Sequence, residues 1–75
     1  MAKHYNGFPS WNAWNVSLWI NNDEGLYRMA REYVQSYGYD KAVRLIYRAI
    51  GESRTPDGAK YSARSIRLAI RGIID

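Results

Sequence analysis

The stretch Tyr5 to Asn22 carries no formal charge, yet it holds all three tryptophans of the chain, Trp11, Trp14 and Trp19, and its only phenylalanine, Phe8. Its polar content is mostly asparagine. Large aromatics set among uncharged amides make a segment built to be surrounded by protein. Ser10 suits a helix N-cap. A helix starting after it puts Trp11, Trp14 and Leu18 on one face at i, i+3, i+7. Ala13, Val16 and Ile20 fall roughly opposite, with Trp19 between the two groups. A helix apolar nearly all round is normally buried on more than one side. In a small chain this means a central helix wrapped by the others, or one whose second face meets another chain, as in a homodimer. Trp14 and Leu18 are expected in the core. Asn12, Asn15 and Asn21 compete for nearby backbone groups and so sit poorly in a helix. Either they bond loops onto the helix, or they form a recognition surface.

The remaining pattern is helical. Asn21 with Glu24 three residues on approximates a capping box, and Asp23 and Glu24 suit the positive end of a second helix. That helix carries an apolar stripe of Leu26, Met29, Ala30, Tyr33, Val34 and Tyr37, and Gly38 stops it. Asp40 is expected to cap a third helix with Ala42, Leu45, Ile46 and Ala49 inward and Val43 and Ile50 flanking; Gly51 ends it. Residues 52–61 form the one clear loop, in which Thr55-Pro56-Asp57-Gly58 fits a type I turn. Ser62 or an earlier loop residue caps a last helix with Ile66, Ala69, Ile70 and Ile73 inward. Residues 1–9 read as an irregular arm with a turn at Asn6-Gly7. Pro9 holds Phe8 extended, close enough to the Ser10 cap to fold back on the first helix. The expected fold is all-α, one domain over residues 1–75, a compact bundle of about four short helices with the Trp-rich first helix at its centre.

With 75 residues, such a domain buries only about 60% of its unfolded surface. The sequence has no cysteine, so disulfides and thiolate zinc sites are excluded. The 15% aromatic share offsets the missing staples, because each aromatic buries roughly 150–250 Å². No apolar run approaches the ~20 residues of a membrane span, and no uninterrupted apolar region follows Lys3, so neither membrane nor signal peptide is expected. The expected location is the cytoplasm.

Charge divides the chain. Residues 1–40 hold three bases against four acids, and residues 41–75 hold eight bases against three acids. Such asymmetry points to an acidic partner for the second half, a nucleic acid or an acidic protein surface. Lys41, Arg44 and Arg48 recur at i, i+3, i+7 on the third helix. Lys60, Arg64, Arg67 and Arg71 recur around the fourth, with Lys60 at the edge of the loop. Arginine forks pair bidentately with phosphate or carboxylate, and Tyr47 and Tyr61 lie near enough in sequence to stack. These seven bases are the candidate binding residues; the bland alternative is that they only keep the outer faces of amphipathic helices solvated.

Catalysis finds little support. His4 is the only histidine and lies in the arm. No nucleophilic cysteine and no readable carboxylate pair accompany it, so no catalytic residue, metal ligand or cofactor site is assigned. A helix-turn-helix over residues 30–49 is opposed by Arg44, which stands where such a motif tucks an apolar side chain inward.

The run Trp11-Asn12-Ala13-Trp14-Asn15-Val16-Ser17-Leu18-Trp19-Ile20-Asn21-Asn22-Asp23-Glu24-Gly25-Leu26-Tyr27, with Tyr5-Asn6-Gly7 before it and Thr55-Pro56-Asp57-Gly58 after, resembles a family of small uncharacterised proteins encoded by bacteriophages and mobile elements. The likeness covers most of the chain, and the Arg-rich last helix departs from it. It implies an accessory protein acting inside a bacterial host cell and assigns no catalytic residue. By analogy with other small phage proteins, it implies a non-enzymatic binder that inhibits a host macromolecule, such as a nucleic-acid-handling defence complex, as anti-CRISPR proteins do. The partner would be a host protein or protein–nucleic-acid complex with an acidic surface. The alternative reading is a small basic nucleic-acid binder of low sequence specificity.

Overall fold

The computed structural model describes residues 7–74, with only the backbone of Ile74 included. Four helices run in chain order: α1 (Trp11–Asn22), α2 (Glu24–Tyr37), α3 (Tyr39–Ile50) and α4 (Ala63–Ile74). Among the described residues there is no strand; an isolated antiparallel bridge joins Arg54 and Lys60 inside the loop before α4. The all-α bundle is therefore the observed fold. His4 and most of the N-terminal arm lie outside the described residues.

Each helix boundary has a local cause. Ser10 caps α1, its hydroxyl accepting from the Ala13 amide at 3.1 Å. The cap of α2 is Asp23 rather than Asn21, and its carboxylate accepts from the Leu26 amide at 3.0 Å. One residue, Asp23, thus separates two helices, so Asn21 remains in the last turn of α1 and bonds back to the Ser17 carbonyl at 2.8 Å. Gly38 ends α2 at φ +88, a left-handed conformation that costs other residues most. It also starts α3, so Asp40 falls in the first turn and makes no capping bond. Ser62 caps α4, accepting from the Ser65 amide at 3.1 Å.

The core joins Val16 and Ile20 of α1, Ala30 of α2, Val43 and Ile46 of α3, Ala59 and Tyr61 of the loop, and Ile66, Ala69 and Ile70 of α4. The centre is shared: α4 touches all three other helices, whereas α1 touches α4 and α2 but not α3. The inner face of α1 is the one opposite to the tryptophans. Ala13, Val16 and Ile20 are buried, Trp14 and Leu18 are half-buried, and Trp11 is 40% exposed. Helical geometry explains the rotation. At 3.6 residues per turn, Asn12, Asn15 and Trp19 share an arc next to the Ala13–Val16–Ile20 face. Turning those polar groups to the loop necessarily turns the aliphatic face to α4. Since Val16 and Ile20 are buried within one chain, that face needs no second copy. In α3 the inner face is likewise rotated, with Val43 buried and Ala49 exposed.

Truncation separates the two faces of α1. Ile20→Ala should cost about 2–5 kcal/mol because it opens a cavity beneath α4. Trp11→Ala should cost clearly less, since much of that side chain already meets water. Urea unfolding of the two variants reads the order directly; the reverse order would place the tryptophan face inside.

Candidate binding surface

The loop between α3 and α4 is held by α1. Asn12 bonds to Lys60 as a strand neighbour would: its Oδ1 accepts from the Lys60 amide at 2.9 Å, and its Nδ2 donates to the Lys60 carbonyl at 2.9 Å. The same Nδ2 reaches the Ser65 hydroxyl at 2.9 Å. One turn on, Asn15 is 1% exposed. Its Oδ1 accepts from the Thr55 hydroxyl at 2.6 Å, and its Nδ2 donates to Asp57 at 2.9 Å. Trp19 donates Nε1–H to the same Asp57 oxygen at 2.9 Å. The asparagines of α1 that reach the loop are therefore structural groups.

Within the loop, the Gly58 amide donates to the Thr55 carbonyl at 2.8 Å, closing the expected turn. The buried Thr55 hydroxyl also accepts from the Ala59 amide at 2.9 Å. Among the described residues, no buried side-chain nitrogen or oxygen lacks a partner. Asp57 remains exposed. The Asn15 bond, then the Trp19 bond, hold its carboxyl below the usual value of 3.8.

The fixed loop sets where the seven candidate bases stand. Lys41, Arg44 and Arg48 come together on the outer side of α3, where with Leu45 they line one shallow depression. Arg64 lines a separate depression at the start of α1 and α4, with Pro9, Ser10, Asn12, Ser62 and Ser65. Arg67 is committed to the fold. Its guanidinium donates to Asp40 at 2.7 Å and lies 5.3 Å from the Tyr39 ring centre, while its carbonyl accepts from the Tyr39 hydroxyl. The Asp40 bond holds the Arg67 guanidinium more firmly protonated than usual. Lys60 belongs to the loop, and its backbone is occupied by Asn12. Arg71 is exposed. The seven bases therefore do not line one depression; Lys41, Arg44 and Arg48 do.

The aromatics near these bases also sort themselves. Tyr61 is 5% exposed and part of the core, and burial pushes its phenol pKa up. Tyr47 is 43% exposed. Part of its ring packs on Gly51, where a Cβ would come within 2.6 Å of two ring carbons. Tyr37, read from sequence as part of the apolar stripe of α2, is 52% exposed. The Lys41 ammonium sits 5.1 Å from its ring centre, within the range of a cation–π contact. Its place as the last residue before Gly38 was the available signal, since a stripe often runs off the core at a helix end. Among the described residues, no group of three or more His, Asp or Glu could hold a metal ion, and no helix is long and apolar enough to cross a membrane.

The Asp57 contacts imply a defined acid response. A folded-state pKa below the unfolded one contributes stability that is present above the unfolded value and lost as pH falls through the folded value. The stability gap between the wild type and Asp57→Asn should therefore be largest at neutral pH. It should shrink as pH falls below 3.8. Urea midpoints of both proteins across that range check it; a gap independent of pH would mean that the carboxylate charge plays no part.

No curated protein and no solved structure matches this chain. A family model does, over residues 1–75, and the chain belongs to that family, described as the family of unknown function DUF7249.

Proposed function

We propose that this protein is a non-enzymatic binding protein that docks through the outer face of α3 onto an acidic surface of a host macromolecule. The observation that carries this reading is the convergence of Lys41, Arg44 and Arg48 on one depression that no carboxylate lines. Among the described residues, the two salt bridges are Arg28–Glu24 and Arg67–Asp40, so Arg44 and Arg48 have no acidic partner within the fold. Asp40, the one acid in α3, is taken by Arg67. Uncompensated arginines on a rigid helix steer an acidic partner and fix its register.

The resemblance of Trp11 to Tyr27 to proteins of bacteriophages and mobile elements supports a finer reading. On that reading the protein is an accessory protein in the cytoplasm of a bacterial host. It binds and inhibits a complex that handles nucleic acid, a defence complex in the manner of anti-CRISPR inhibitors. Arg67 drops out of the binding set, because its charge is already matched within the fold.

Charge reversal on α3 tests the docking face. Arg44→Glu combined with Arg48→Glu leaves Ala42, Val43 and Ile46, the buried side of that helix, untouched. The double variant should keep the wild-type melting temperature while its capture of a complex from bacterial lysate falls by about tenfold or more. A folded double variant that captures as much as the wild type would remove α3 as the docking face. Reversal at Arg67 would be a poor substitute, since it places a carboxylate against Asp40 and so alters a contact between α3 and α4 together with the surface charge.

A further inference from the structure

We infer that the acidic element met by α3 is single-stranded nucleic acid, whose phosphates contact Lys41, Arg44 and Arg48 while its bases stack on Tyr47 and Tyr37. The inference rests on the reading of α3 as the docking face and specifies its ligand. Two observations favour a strand over a carboxylate surface.

The first is the pairing of cations with exposed aromatics. Among the described residues, Tyr37 and Tyr47 are two of the three large apolar side chains with the greatest exposure, and the third, Trp11, lies on α1. Both tyrosines belong to the α3 region: Tyr47 follows Arg44 by one turn, and Tyr37 lies under the Lys41 ammonium. A carboxylate surface offers such rings nothing to stack on, whereas each base of an unpaired strand has a π-face. The bases of a duplex are already stacked on one another, so the rings select for a single strand.

The second is spacing. At 1.5 Å rise per residue, Lys41, Arg44 and Arg48 follow one another at about 4.5 and 6 Å along the helix axis. Long side chains at that spacing can follow successive phosphates of an extended backbone. Tyr47 is braced by Gly51, whose lack of a side chain lets two ring carbons come close. A ring held from one side loses little freedom when a base covers the other. Nothing in this arrangement reads base edges, so the binding is tolerant of sequence.

The test uses a fluorescein-labelled oligothymidylate of about a dozen nucleotides, its mixed-sequence counterpart and the matching duplex, titrated against the full chain by fluorescence anisotropy. Both single strands should bind more tightly than the duplex. The slope of log affinity against log salt should be about −2 for three neutralised phosphates, and Arg44→Ala should flatten it by about 0.7. Tyr47→Ala should weaken binding by about tenfold and Tyr47→Phe should restore it, since stacking needs the ring and not the hydroxyl. The Phe variant also guards against a simple folding defect in the Ala variant. Equal affinity for strand and duplex, with no effect of Tyr47→Ala, would overturn the inference. So would the absence of binding to every oligonucleotide while lysate capture survives nuclease and still depends on Arg44 and Arg48. In that last case the docking face would stand and its partner would be an acidic protein surface.

Discussion

The fold depends on two side-chain amides. Asn12 and Asn15, one turn apart on α1, bond across 40 to 48 positions of sequence to the Thr55–Lys60 loop. A loop with its own buried threonine would otherwise carry polar groups into an apolar interior, where an unmet hydrogen bond costs about 1–3 kcal/mol. Here α1 supplies the partners. Asn15 uses both ends of its amide, one on Thr55 and one on Asp57, so the amide orientation is fixed by its neighbours. Because Thr55 also receives the Ala59 amide, α1, the turn and the approach to α4 form one connected network, and such networks are worth more than their separate bonds.

That network transmits position to the rest of the molecule. Holding Lys60 fixes where α4 begins, two residues after Tyr61 enters the core. Asn12 touches Ser65 as well, so the first turn of α4 is located from the side and from below. α4 then carries Ile66, Ala69 and Ile70 into contact with the other helices and presents Arg67 to Asp40 at the start of α3. The Arg67–Asp40 pair is exposed and contributes little to stability by itself. Its consequence is electrostatic: it pairs the only acid of α3, and among the described residues Lys41, Arg44 and Arg48 have no salt-bridge partner.

Much of the architecture was legible in the sequence. The helix stops at Gly38 and Gly51, the Ser10 cap and the Thr55–Gly58 turn follow from local chemistry. The inner residues Ile46, Ile66, Ala69 and Ile70 follow from periodicity. The rotation of α1 was not legible. Counting apolar residues gives two comparable faces, because Trp11–Trp14–Leu18 and Ala13–Val16–Ile20 differ in size but not in spacing. What decides between them is a hydrogen-bond partner forty residues away, which no local pattern records. The cap of α2 failed for a related reason: two helices separated by one residue leave no room for Asn21 to stand outside both. On the α3 surface the three cations were visible as a stripe. The pairing of Arg67 with Asp40 and the position of Tyr37 beside Lys41 both required tertiary contacts.

The polar groups of this chain fall into two populations with different physical roles. In α1, Asn12, Asn15 and Trp19 are neutral amides and an indole N–H, turned toward the loop and satisfied there, as burial without ionic desolvation requires. After residue 40 the charged groups are mostly guanidiniums, and most of those remain in water. A chain that needed charge only for solubility could distribute acids and bases together over its outer faces, as α2 does with Glu24, Arg28, Arg31 and Glu32. α3 instead has its single acid matched from another helix and its three cations left without a salt-bridge partner among the described residues, with the Tyr37 ring beside Lys41 and Tyr47 one turn after Arg44. Leaving like charges adjacent on one face costs some stability through mutual repulsion. The fold tolerates that cost because α1 and its loop hold α4, and through α4 hold α3, by contacts that do not involve those cations. The proposed binding face is thus separable from the stabilising network, so the charge of Lys41, Arg44 and Arg48 can be altered without disturbing the interactions that set the position of α3.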